Sequence, residues 1–97
     1  MLKHVVFLKY RPDTPVEHID TFCDRMQALP ESIPEIQSLE IGRDEFGEKR
    51  SWNLLLSMTF ESVAALRHYQ VHQNHVALMK FNAPFVTDVG SVDYHEA

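Results

Sequence analysis

Hydrophobic residues recur along this chain in two rhythms, one of period two and one close to 3.6, and their alternation lays out the elements. Leu2 to Lys9 is short, rich in Val and Phe, and runs into Arg11-Pro12-Asp13, where proline opposes continuation of a strand. It predicts a first strand. Thr14-Pro15-Val16-Glu17 then supplies an N-cap, a proline for the first helical position and an acid placed to close a capping box. Behind it Val16, Ile19, Phe22, Cys23, Met26 and Leu29 recur at helical spacing, so a helix is expected to about Leu29, stopping before Pro30.

Pro30 and Pro34 frame an irregular link beneath which Ile33 and Ile36 tuck. Ser38 to Arg43 alternates Leu39 and Ile41 with polar neighbours, as a half-buried second strand does. Asp44 to Arg50 is charged, contains Gly47 and reads as an exposed hairpin connection. Ser51 to Phe60 is the expected third strand, with Trp52, Leu54, Leu56, Met58 and Phe60 on one face. Ser62 is placed to cap a second helix through Val63, Leu66 and Tyr69. A helical segment resumes after Asn74 and ends at Asn82-Ala83-Pro84. Thr87 to Tyr94 is the last strand, weakened by Gly90.

The order β-α-β-β-α-β describes a ferredoxin-like α+β domain, an antiparallel four-stranded sheet with its helices on one face. The other face is left bare. Val5, Phe7 and Leu55 point there, and an exposed apolar sheet face of this kind marks an interface. Two such sheets facing each other form a dimeric α/β barrel, so a homodimer is expected.

Composition narrows the classes. The 97 residues fit a single domain over 1–97, and 44% hydrophobic with 24% charged residues is ordinary for a globular chain. A domain this small has a thin stability margin, which favours a partner subunit. No segment approaches the roughly 18 consecutive apolar residues of a membrane span, and the start lacks the features of a secretion signal. A cytoplasmic protein without membrane contact is expected. The net charge of -5 opposes attraction to nucleic acid. The single Cys23 can form neither an internal disulfide nor a CxxC motif.

Six histidines are present, and His18, His68 and His95 lie among polar neighbours as solvated side chains do. His4 differs, because strand alternation places it with Val6 and Leu8 on the inward face. Tyr69-Gln70-Val71-His72-Gln73-Asn74-His75 gathers a phenol and two imidazoles. His72 and His75 have the spacing of two metal ligands on one helical face, but a site needs a third, and no metal is expected. Tyr69 and His75 stand roughly 240° apart on an unbroken helix, so they converge only if the helix breaks between them. Gln73-Asn74 offers that break, with Asn74 as the new cap. His75 then sits at a helix N-terminus, where the positive end of the helix keeps the ring neutral and fit to act as a base.

Lys3-His4-Val5-Val6-Phe7-Leu8-Lys9-Tyr10, Thr59-Phe60-Glu61-Ser62-Val63, the run Tyr69-x-x-His72-x-x-His75 and the terminal Asp93-Tyr94 together resemble the stress-responsive A/B barrel (Dabb) family over essentially the whole chain. The resemblance implies dimeric α/β barrels, many of them stress-associated, and includes a plant polyketide cyclase that closes a poly-β-ketone by aldol chemistry. It places catalytic roles on His75, Tyr69 and His4. It also implies a ligand pocket formed by Phe22, Cys23, Met26, Leu56 and His72. Gln73 stands where relatives commonly carry proline, and Cys23 and Met26 replace aromatics of the cyclase pocket, which points to a different ligand shape.

Three functions compete on this reading: a module that binds a small apolar or carbonyl ligand, a cyclase-like lyase with His75 as base and Tyr69 as hydrogen-bond donor, and a cofactor-free monooxygenase supported by architecture alone. The chain has no glycine-rich phosphate loop and no flavin or nicotinamide fingerprint, so no organic cofactor is expected.

Overall fold

The computed structural model describes residues Met1–Ala97. In chain order it comprises β1 (Leu2–Tyr10), α1 (Val16–Ser32), β2 (Ser38–Arg43), β3 (Leu54–Phe60), α2 (Val63–Val71), α3 (Gln73–Asn82), a 3-10 turn (Ala83–Phe85) and β4 (Val86–His95). The strands form one sheet in the order β2-β3-β1-β4, and every neighbouring pair is antiparallel. This is the expected ferredoxin-like α+β arrangement. The two helical stretches expected after Ser62 are α2 and α3.

Alternation sorts the sheet into two faces. Leu2, His4, Leu8 and Tyr10 of β1 are buried on the helix side, and so are Leu54, Leu56, Met58 and Phe60 of β3. They pack with Phe22, Met26 and Leu29 of α1, Leu66 and Tyr69 of α2, and Leu78 of α3 in one core. Ile33 and Ile36 are buried under the link that follows α1, as their placement in the sequence suggests. On the other face Val5, Phe7 and Leu55 stay half-exposed within the single chain. Val92 and Tyr94 of β4, register partners of Val5 and Lys3, extend that apolar face.

Local expectations fail at both ends of α1, at the start of β3 and at the helix break. Helix α1 does not stop before Pro30 but continues through it to Ser32, where the Ile33 N–H meets the Leu29 carbonyl at 2.9 Å. Proline removes only one donor, in the last turn, and the burial of Leu29 and Ile33 holds the turn together. At the other end Pro15 is the N-cap and no side chain caps the helix; the Thr14 hydroxyl is buried without a partner.

Strand β3 begins at Leu54 rather than Ser51, because Asn53 is diverted to β1. Its N–H donates to the Leu8 carbonyl at 2.8 Å and its side chain accepts from the Tyr10 N–H at 2.8 Å. Alternation ends there, and Trp52 swings to the bare face instead of the core. Its ring lies 5.8 Å from that of Phe7, the Lys9 ammonium sits 5.1 Å away, and Gly90 of β4 lies beside it. A Cβ at Gly90 would stand 3.5 Å from the indole, an ordinary packing distance, so the ring lies directly against the strand at this position. The last difference is the position of the helix break, described with the site.

The connection through Asp44 to Arg50 is exposed, and Gly47 takes the chain through a positive φ of 62° that favours glycine. No helix is long and apolar enough to cross a membrane.

Candidate functional site

His4, Tyr69 and His75 come together at one end of the helix layer. His4 lies on β1 between Met58 of β3 and Asp93 of β4, and its ring is 6.5 Å from that of Tyr69. Tyr69 follows Leu66 by three positions on α2, so both face the sheet, and its ring also lies 5.3 Å from Phe60.

His75 reaches the same place through the break between α2 and α3. The break falls at His72, which takes an extended backbone with φ -62° and ψ 136°, and not at Asn74. His72 itself caps α3: its Nδ1 accepts the Asn74 N–H at 3.1 Å. Gln73, in place of proline, therefore does not prevent the break. Restarting the helix one residue later changes its phase, and the Tyr69 and His75 rings end 4.3 Å apart.

The hydrogen bonds fix what each ring can do. His75 Nδ1 lies 3.0 Å from the Gln70 carbonyl oxygen, which can only accept, so Nδ1 carries the proton and Nε2 presents a lone pair. Burial, with smaller contributions from His4 and His72, lowers the His75 pKa, while the Gln70 carbonyl opposes the shift. The neutral ring is thus favoured. Burial raises the pKa of Tyr69, so its hydroxyl keeps its proton. His4 Nδ1 makes a short hydrogen bond to the Asp93 carboxylate, which leaves its Nε2 turned away from that partner.

Thr14 Oγ1 is the one side-chain polar atom both fully buried and without a hydrogen-bond partner. The Tyr69 hydroxyl and the Nε2 atoms of His4 and His75 have no protein partner either, so each retains some access to open space. Around His75 that space is a cleft of about 370 Å³ lined by Gln70, His75, Val76, Met79, Lys80 and Ala83. Tyr69, only 2% exposed, borders it from behind His75 and does not line it.

The other expected pocket residues are placed differently. Phe22, Met26 and Leu56 are closed in the core, Cys23 is half-buried against it, and no cavity opens among them. His72 spends its ring on the α3 cap. His/Cys/Asp/Glu groups suited to a metal ion are not found. The roomiest cleft, about 510 Å³ beside Phe7, Arg50 and Trp52, lies on the bare face away from the imidazoles.

Two residues escape a reading of the sequence. Asp93 meets His4 only because β4 pairs with β1 in a register that places them side by side. His18, expected in solvent, is half-buried: it lies 4.5 Å from the Phe81 ring and 4.0 Å from Phe85, and its Nε2 bonds Asn82. Its polar sequence neighbours concealed this, since the aromatics come from the far end of the chain. His68 and His95 are exposed, as expected, with His68 2.5 Å from Glu35.

Among curated proteins none matches this chain. Solved structures do. A dimeric protein of unknown function with a ferredoxin-like fold from Bacteroides fragilis is 33% identical, with a TM-score of 0.87 over 98% of this chain and 95% of its own. A Dabb family protein from Mesorhizobium loti is 22% identical, with a TM-score of 0.81 over 99% and 96% of the two chains. A hydroxynitrile lyase from Passiflora edulis is 20% identical, with a TM-score of 0.84 over 96% and 90%. The last two likenesses concern the fold. The sequence profile of the stress responsive A/B barrel domain matches residues 2–96, and the chain belongs to that family.

Proposed function

We propose that this protein binds a small apolar molecule bearing a carbonyl group at the His75–Tyr69 site, and that His75 acts there as a general base. The observation that carries the reading is the convergence of three rings, with His4 6.5 Å and His75 4.3 Å from Tyr69, each keeping a polar atom that no other protein group takes. Polar groups in a folded interior are ordinarily paired with one another. A set left free together is suited to a ligand.

The chemistry follows from the protonation states. His75 Nε2 takes a proton from the carbon beside the carbonyl, the electron pair of that C–H bond becomes the new C=C bond while the carbonyl π pair moves onto oxygen, and the Tyr69 hydroxyl donates a hydrogen bond to that oxygen as its charge grows. The resulting enolate can attack a second carbonyl of the same molecule, which is ring closure by aldol addition. The imidazolium then returns its proton to the new alkoxide. A hydroxynitrile lyase on the same fold shows that the fold carries an enzyme in at least one relative.

Exchange of α-protons of acetylacetone into deuterated water tests the base directly. His75→Ala should abolish catalysed exchange, and Tyr69→Phe should lower it on the order of 10²-fold, the loss expected for one donor to a developing oxyanion. A second reading, a binding module without chemistry, is favoured by the near-complete burial of Tyr69. It predicts shifts of the His75 ring signals on adding ketone, with no exchange above background.

The protein acts as a homodimer on this proposal, joined through the bare face where Val5, Phe7, Trp52 and Leu55 gather. The Bacteroides fragilis relative is described as dimeric. A monomer in sedimentation at micromolar concentration would overturn this part.

A further inference from the structure

The cleft beside His75 has a neighbour along α3. A second cleft, of about 280 Å³, is lined by Leu8, Met79, Asn82, Ala83, Val86 and Val89, and it shares Met79 and Ala83 with the first. The two clefts adjoin at these residues, and the second lies between α3 and the inner side of β4. His75, Met79 and Asn82 follow at helical spacing along the pair. Asn82 stands at the far end and is the only polar residue lining the second cleft.

Asn82 is only 2% exposed, and its amide is held from one side. Oδ1 accepts the Tyr10 hydroxyl at 2.7 Å and lies 3.0 Å from His18 Nε2. With the His18 proton on Nε2, both lone-pair directions of the oxygen are used, which fixes the amide plane. Nδ2 has no partner in the protein. It is not among the fully enclosed unpaired atoms, so it opens on the little accessible surface the residue has, toward the second cleft. An oriented, unpaired donor in an otherwise apolar wall is the usual means by which a pocket fixes its ligand.

We infer that Asn82 is a second recognition point, whose Nδ2 donates a hydrogen bond to an oxygen of the ligand remote from the reacting carbonyl. The inference rests on the reading of His75 as the group that meets that carbonyl. Asn82 lies seven residues beyond His75, which is roughly 10 Å along a helix at 1.5 Å per residue. An extended chain gains about 1.1 Å per backbone bond, from a strand's rise of roughly 3.3 Å per three-bond residue, so the two oxygens are separated by about nine bonds. The ligand class is an elongated apolar chain with a carbonyl at one end and a ketone or hydroxyl about nine bonds away. It lies along α3, outside the closed core of Phe22, Met26 and Leu56.

Two probes differing in one oxygen test this: the straight-chain dodecanedione with a methyl ketone at each end, and the dodecanone with only one. Binding is measured by NMR titration of the intact protein, following the His75 ring and the Asn82 side-chain amide. The dione should bind roughly tenfold more tightly, the equivalent of one hydrogen bond of about 1.4 kcal/mol, and only the dione should shift the Asn82 amide. Asn82→Asp keeps an oxygen for Tyr10 and His18 but replaces the donor with an acceptor, and should erase the preference. Equal affinity for both ketones, with the His75 ring shifting in each case, overturns the role of Asn82 and leaves the His75 reading standing. If neither ketone shifts the His75 ring, both fall. If Asn82→Asp does not fold, the wild-type comparison and its amide signal decide alone.

Discussion

His75 depends on its contact with Gln70, because the carbonyl dictates which nitrogen holds the proton. The same environment makes a claim about stability. The folded protein holds the His75 proton more weakly than the unfolded chain, whose imidazole titrates near 6.5. Just below that value the unfolded state therefore binds more protons, and stability falls as the pH drops through the window between the unfolded and the lower folded pKa. Denaturant melts from pH 7 to 5 should show a shallower loss for His75→Asn than for the wild type. The acidic limb of proton exchange should likewise lie below 6.5. At this scale the sequence was half legible. The inward aim of His4 follows from alternation alone, but its partner Asp93 is 89 residues away and depends on strand register. The burial of His18 is hidden in the sequence for the same reason, as the rings of Phe81 and Phe85 reach it only in three dimensions.

Elements with a strict period were the easiest to read from the chain. Ser38–Arg43 falls where its alternation puts it, and Ser62 caps α2 by accepting the Ala65 N–H at 3.1 Å. Leu56 sits mid-strand at 3% exposure, and Leu56→Ala should cost about 2–5 kcal/mol in denaturant unfolding, as truncation in a closed core does. A smaller loss would count against that closed core. Boundaries were harder, because each is decided by competition among contacts from several elements. Pro30 should end a helix by local rules, yet the burial of Ile33 carries α1 past it. The α2–α3 junction was anticipated, but two residues late, since an imidazole acting as cap is not a common sequence signal. His72→Ala should cost on the order of 1 kcal/mol as a lost cap. It should also loosen the Tyr69–His75 contact, seen as a smaller ring-current shift of the His75 protons.

The whole molecule is asymmetric in its burial, with one sheet face closed by helices and the other open. Element order made that asymmetry legible, because two helical segments on one side of a four-stranded sheet cannot cover both. It did not reveal how β4 extends the apolar strip through Val92 and Tyr94, which depends on pairing with β1. Phe7→Arg should keep the protein monomeric by placing a charge at the centre of that strip, and sedimentation would show it. The displacement of Trp52 onto this face has a practical result, because it is the chain's single tryptophan. Its indole is an optical gauge of assembly: emission should move to longer wavelength as dilution separates the subunits and water reaches the ring. Phe7→Arg should show the long-wavelength spectrum at every concentration, so the association constant can be read from the native protein without any label.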